Sequence, residues 1–485
     1  MAVFLGAALS PSLTGCVAEN GALGRVAEAI GIEVYPLLEE SVRELNRFNT
    51  TFAEHAKDPN NTRQLKHFRD AYKRVRVAYV HPPDDRALID AAIEGVLEDG
   101  PGPRSVPPAE LAASALDRML ASLDPHSTYL DPDELQESKV STSGEFGGLG
   151  IQVTVEDGKI KVIAPIEDTP ADAAGVKAGD LITHLDGVSI VGQPLMDSVH
   201  EMRGRPGTQI TLTIERAGVA PFDVAIVRDV IRVRAVRWRV EGDVGYVRVV
   251  AFNEKVEHGI ERALGEIVDA LGDSGRGIAL DLRNNPGGLF EQSLALADAF
   301  LDDGVIVSVR GRDAEKGRSS SADAGDLSGG LPVVVLINGG SASASEIVGA
   351  ALQDQGRATV MGTRSFGKGS VQTVMPMPLE GALKLTTAYY YTPSGRAIQA
   401  RGLVPDIELA GTDTANTESR REVDLPGALP PQGEEAKGGQ VTLKGDACPP
   451  AGEDDKDQVL GCALALLRAG STEGFLAAVG GGSRL

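Results

Sequence analysis

Apolar residues recur at helical spacing from about Glu33 to Val80, among mixed charges, and predict helix over that stretch. "YVHPPDD" breaks the pattern, and "RALIDAAIEGVLEDG" (86–100) predicts a second amphipathic helix ended by Gly100. After a Pro/Gly-rich loop, "AELAASALDRMLASLDPHSTYLDPDEL" reads as helix and then turn. From Ser143 the period shortens. "GEFGGLGIQVTVEDGKIKVIAPI" alternates about "EDGK" as a hairpin does, and "TPADAAGVKAGDLITHLDGVSI" predicts a short helix, a glycine turn and a strand. "QPLMDSVHEMRG" predicts a helix with Leu195, Val199 and Met202 on one face, and "TQITLTIERAG" a closing strand. From Ile231 strands and helices alternate: "VGYVRVVAF", "HGIERALGEIVDALGDSG", "RGIALDLRNNPGG", "LFEQSLALADAFL", "GVIVSVRG" and "LPVVVLINGGSASASEIVGAALQD". "KLTTAYYYTPSGRAIQARGLVPDIEL" adds strand and turn. Beyond about Gly411 the chain is polar until one terminal helix, "DQVLGCALALLRAG".

The expected architecture is a multi-domain α/β protein. Its parts are a leader over 1–18, a helical region over 30–135 and a β-rich domain with two helices over 143–228. A layered α/β core over 231–410 follows, then a polar linker and C-terminal helix over 411–485. The 485 residues suffice for about three domains. The net charge of −22 argues against nucleic acid or an anionic membrane surface as the main partner. His, Cys, Asp and Glu show no metal-ligand spacing, so neither metal nor other cofactor is expected.

The N-terminus, "MAVFLGAALSPSLTGCVAEN", has the apolar run and small residues of a secretory signal peptide but no basic start. "LTGC" is similar to a bacterial lipobox, whose cysteine would be lipidated at Cys16. The other reading is an ordinary signal peptide cut near Ala18. Either way the protein is expected to be exported, to the periplasm or cell envelope. In an oxidising compartment Cys448 and Cys462 are natural disulfide partners; two unpaired thiols, with Cys462 on the apolar face of a helix, is the alternative.

In "GGSASASE" (339–346) three serines alternate with alanines where a strand turns into a helix. A nucleophilic serine needs a base, and the seven histidines all lie at or before His258. "RSFGKGSVQT" places Lys368 between glycines. A buried lysine loses its proton more easily, because desolvation disfavours the ammonium, and its free amine can then activate a serine. Gln372, four residues on, offers an amide oxygen to hold that amine. Taken singly these residues have plainer readings. Ser343 and Glu346 also form a helix capping box; Ser341 and Ser345 read as turn and first-turn residues; Lys368 reads as a loop lysine and the tyrosine run as core.

The β-rich domain resembles a PDZ domain over about Glu145 to Arg228, on "GLGI" and "TPADAAGVKAGDLITHLDG". The resemblance implies that the backbone N–H groups of Leu149, Gly150 and Ile151 hold a terminal carboxylate while the peptide adds as a strand. "DLRNNPGG", "GGSASASEIVGAALQD", "GTRSFGKGSVQT" and "YYYTPSGRAIQARGLVPDI" resemble the carboxyl-terminal processing, or tail-specific, proteases over roughly Tyr72 to Leu409. These are serine endopeptidases with an inserted PDZ domain. The resemblance implies Ser343 as nucleophile, Lys368 as base, 25 residues on, and Gln372 as the residue that orients it. The oxyanion donors it implies are the N–H of Ala344 and that of Gly287 or Gly288; Pro286 has none.

The expected activity is cleavage, through an acyl-enzyme, of proteins or peptides with free apolar C-termini. Homo-oligomerisation through the terminal helices and an adaptor protein are left open. The alternative is an inactive PDZ scaffold, which predicts loss of the serine, lysine or glutamine; all three are present. An acyl-CoA enzyme on a similar core would need a nucleotide site and no PDZ insert. After the groove helix, Arg203 reads either as a reporter of an occupied carboxylate site or as a solvated helix-end residue.

Overall fold

The structure, a computed structural model, describes residues 38–99, 104–166, 168–193, 195–232, 234–411, 420–433, 441–452, 457–479 and 483–484. The leader, with Cys16, lies outside them. The chain divides into two compact units, at Ser122/Leu123.

Among its described residues the first unit holds four helices: Glu39–His55, Thr62–Ala78, Asp85–Asp99 and Pro108–Ala121. The predicted continuous stretch is thus two helices. The first stops at Ala56, and Asn61 caps the second by accepting the Gln64 N–H. Phe48 and Phe68, both fully buried, stack at 3.7 Å and join the two helices.

The second unit carries the rest. Its β-rich domain has the sheet order 151–156, 159–165, 181–185, 209–215, 222–227. The first two strands form the expected hairpin about Asp157–Gly158. Glu145–Gly148 is not part of it; it pairs instead with Asp229–Arg232, so the two ends of the insertion leave the core side by side. The groove helix is Leu195–Met202.

The core is an eight-stranded sheet ordered 236–241, 244–249, 277–281, 333–337, 358–362, 407–410, 441–444, 483–484, parallel except at its two edges. Val333–Ile337 is buried at every residue, as a central parallel strand covered on both faces must be. Helices Val256–Leu271, Phe290–Asp298 and Ala344–Asp354 pack one apolar core with the strands. Helices Gln458–Ala469 and Thr472–Ala478 complete a second. A smaller sheet pairs Thr128–Leu130, Val305–Gly311 and Ser370–Pro376 with or beside the long strand Ala382–Tyr391.

The C-terminal expectation needs correcting. Among the described residues there are two helices rather than one, and those beyond 411 are not all linker. Val441–Lys444 joins the main sheet, and Glu422 and Leu429 are buried in the core. Gln399 Nε2 donates to both the Glu422 carboxylate and the Leu429 carbonyl and so ties this segment to the chain just after the long strand. Cys448 and Cys462 form a disulfide that ties the chain before the terminal helices to the first of them.

Candidate active site

Strand Val333–Ile337 delivers the chain to Ser343, which lies immediately before helix Ala344–Asp354. Ser343 has φ +56°, a region that costs a non-glycine residue energy and is kept only where surroundings hold it. Its neighbours do so. Ser341 Oγ donates to the Leu282 carbonyl at 2.8 Å, and Ser345 Oγ to the Asn285 carbonyl at 3.0 Å. Both side chains are fully buried. The outer serines therefore bolt the turn to the "DLRNNPGG" loop, and only the middle one has its hydroxyl elsewhere.

Of the capping box, one half forms. Glu346 reaches back to accept the Ser343 N–H at 2.7 Å. Ser343 Oγ does not cap the helix; it meets Tyr390 OH at 2.8 Å. Burial holds the Tyr390 hydroxyl well above its ordinary range, so it stays protonated. The sequence reads Tyr390 as core, and nothing in a tyrosine run marks the one member whose hydroxyl meets Ser343.

Glu346 is fully buried, and its carboxylate collects four donors. These are the N–H groups of Ser343, Gly367 (2.8 Å) and Lys368 (3.0 Å), and Ser365 Oγ (2.5 Å). Burial pushes the Glu346 carboxyl up to about 7, against the pull of those bonds. One carboxylate thus fixes the backbone of both the serine and the lysine. Lys368 itself is pressed down to about 8, by burial first and by the Lys384 ammonium next, with Glu422, Asp124 and Glu346 opposing. A lysine so placed is largely a free amine in mildly alkaline solution. The glycine after it is required by space: a Cβ at Gly369 would lie 2.2 Å from the Gln399 nitrogen.

The Lys368 amine makes no hydrogen bond to Ser343 or Gln372 in this arrangement. Gln372 Nε2 donates to Ser370 Oγ at 3.0 Å and to Thr386 Oγ1 at 3.2 Å. Thr386 in turn donates to the buried Asp124 at 3.0 Å, so the amide nitrogen is held on that side. The expected amide-oxygen contact is accordingly absent here, and the glutamine is anchored from the opposite end.

The oxyanion alternatives separate. The Gly287 N–H is taken by Asn285 Oδ1 at 2.9 Å. Gly288 N–H has no acceptor among the described residues, and Ala344 N–H, at the first helical position, has none within its helix. In the β-rich domain, the N–H groups of Leu149 and Gly150 likewise meet no acceptor among the described residues, while the two carbonyls are bonded by Ala171 and Ile166. Gly150 has φ +80°, and a Cβ there would sit 2.3 Å from Thr169 Cβ. Ile151 begins the strand beside them. Arg203 is part-buried, paired with Glu137 and 5.0 Å from the Phe146 ring, and its Cγ lies beside Gly148, where the carboxylate loop begins. Among the described residues no cluster of His, Cys, Asp and Glu is placed to hold a metal.

Comparison with known proteins gives the arrangement a context. Residues 243–409 match peptidase family S41, and residues 147–221 match the PDZ domain. A carboxy-terminal-processing protease of Bartonella bacilliformis is 51% identical over 352 residues, which are 72% of this chain and 76% of the relative. A probable CtpA-like serine protease of Staphylococcus saprophyticus is 37% identical over 62% of this chain and 61% of its own length. A solved structure, the photosystem II D1 C-terminal processing protease, is 29% identical over 71% of this chain and 92% of that one, with a TM-score of 0.45.

Proposed function

The chain belongs to peptidase family S41, as a carboxyl-terminal processing protease with an inserted PDZ domain, and on that premise we propose which residues do the work. It is a serine-type endopeptidase whose PDZ domain engages substrate C-termini. Ser343 is the nucleophile and Lys368 its base. The amine takes the Ser343 proton as Oγ bonds to the scissile carbonyl carbon. The carbonyl electron pair moves onto oxygen, where Ala344 and Gly288 N–H groups receive it. Collapse expels the amine, which takes the proton back from Lys368. The lysine then removes a proton from water to hydrolyse the acyl-enzyme. Gln372 steadies the lysine once the amine turns toward it.

The observation that carries this reading is the shared carboxylate: Ser343 and Lys368, far apart in sequence, donate their backbone N–H groups to one Glu346 oxygen. Tyr390 must release or share Ser343 Oγ for the lysine to reach it. The substrates we propose are proteins with free apolar tails, held at Leu149, Gly150 and Ile151. We further propose export to the cell envelope, which the Cys448–Cys462 disulfide supports. Lipidation at Cys16 belongs to the same proposal. The test is acyl-enzyme trapping: an activated peptide ester should add its acyl mass to Ser343. Labelling of any other residue, or turnover in Ser343→Ala, overturns the assignment.

A further inference from the structure

A turn far from Ser343 in sequence touches the lysine loop through a second buried carboxylate. His126 Nε2 faces both oxygens of Glu422, at 3.0 and 2.8 Å. Glu422 has no exposed surface. Its Oε1 also accepts Gln399 Nε2 at 3.0 Å, and Gln399 Oε1 accepts the Gly369 N–H at 3.0 Å. The Glu422 N–H donates to the Phe366 carbonyl at 3.1 Å. The pair therefore holds the residues on either side of Gly367–Lys368.

A buried carboxylate must be balanced by charge. Two cations face Glu422: the His126 imidazole when protonated, and Lys368. Burial pushes the Glu422 carboxyl upward, yet hydrogen bonds from His126 and Gln399, with the charges of His126 and Lys368, bring it below the usual range. If Lys368 were the sole counterion, Glu422 would hold the lysine as an ammonium, useless as a base. The other groups facing Lys368 are Lys384 on strand Ala382–Tyr391, Glu346 on helix Ala344–Asp354, and Asp124 on the His126 turn. Asp124 also accepts the His126 N–H at 2.8 Å. Tyr390 lies within the field of both Glu346 and Glu422.

We propose that His126 is the counter-cation of Glu422, and that this pair frees Lys368 to give up its proton. His126 touches no reacting atom; it acts through Lys368, and the role rests on the reading of Lys368 as the base.

The test compares wild type with His126→Gln, Glu422→Gln and the double variant of the full chain. Trace acetic anhydride labelling of the Lys368 amine, quantified by mass spectrometry across pH, reports its protonation directly. The acid limb of kcat/KM on a quenched fluorogenic peptide ending in two leucines with a free carboxylate reports catalysis. In His126→Gln the Lys368 labelling midpoint should rise by about one pH unit, the size expected of an uncompensated opposite charge. In Glu422→Gln it should fall, and in the double variant it should return close to wild type. A role confined to packing would not move the two single variants in opposite directions. Unchanged midpoints, or shifts of one sign, overturn the proposal. If the midpoints shift as stated but the acid limb of kcat/KM stays put, the counter-cation stands and the assignment of Lys368 as base falls. Should His126→Gln fail to fold, His126→Asn takes its place: an upward shift of the Lys368 midpoint supports the proposal and none overturns it.

Discussion

Ser343 and Lys368 donate their backbone N–H groups to the same oxygen of Glu346, at 2.7 and 3.0 Å. The relative position of the proposed nucleophile and base is thus set by a third residue that need not touch the substrate. In Glu346→Gln one acceptor oxygen becomes an NH2 facing donors. We expect kcat to fall by about a hundredfold or more, as when a catalytic group is misplaced by about 1 Å, with KM little changed. Steady-state kinetics with circular dichroism checks it; a wild-type kcat would mean the carboxylate is dispensable.

The pH dependence has a definite sign. Lys368 is pressed down to about 8, so its active, neutral form accumulates as pH rises through that value. Glu346, raised to about 7, becomes the fully accepting carboxylate over the same side of the scale. Activity should rise between roughly pH 6 and 9, following these two groups. A rate that is flat over that range contradicts a lysine base.

Lys368→Met should be inactive and yet more heat-stable than wild type at neutral pH. A lysine whose proton is less tightly held in the folded state destabilises the fold below its folded value, and that cost disappears as pH rises toward its unfolded value. The gain at pH 7 should approach about 3 kcal/mol, one unit being worth about 1.4. Above pH 10 the two proteins should converge. Melting temperatures at pH 7 and 10 decide, and a variant that melts lower at both would mean that the lysine side chain stabilises the fold rather than burdening it.

Ser341→Ala and Ser345→Ala should each keep the nucleophile but loosen its turn. Each removes a buried hydroxyl bond to the "DLRNNPGG" loop, at a cost of about 1 kcal/mol, and should lower the melting temperature while leaving substantial activity. Loss of all activity in either would place that serine in the chemistry.

Gly150→Ala should abolish tail recognition without touching the protease core, because its Cβ would press into Thr169 and its φ is +80°. The ratio of cleavage rates for a peptide with a free apolar C-terminus and for its amide should exceed one in wild type and approach one in this variant. An equal ratio in both proteins would detach the loop from carboxylate binding.

How much was legible follows from where each signal resides. The strand–turn–helix at Ser343 and the glycines about Lys368 are local features, and local patterns show them. Glu346 was visible too, but only as a capping residue; its bonds to Gly367 and Lys368 need the two loops folded together. Tyr390, Gln399 and Glu422 carry no spacing that sets them apart from core or linker residues. The proposed choice of Gly288 over Gly287 rests on the Asn285 side chain, whose Oδ1 accepts the N–H two residues ahead. The polar stretch after Gly411 misled for the same reason: Glu422 is charged, and a charged residue in a Pro/Gly-rich segment reads as solvent-facing until its partners arrive from distant segments.

Glu422 lies beyond Leu409, where the recognisable peptidase sequence stops. The segment that looks like the enzyme is therefore held in part by residues outside it. A gene trimmed to that boundary would keep Ser343, Lys368 and Gln372 but lose the Glu422 bond to Phe366, the Arg283–Asp457 ion pair and the strand Val441–Lys444. Anyone seeking a minimal catalytic fragment should keep residues 420–433, 441–452 and 457–479 with the core they pack against.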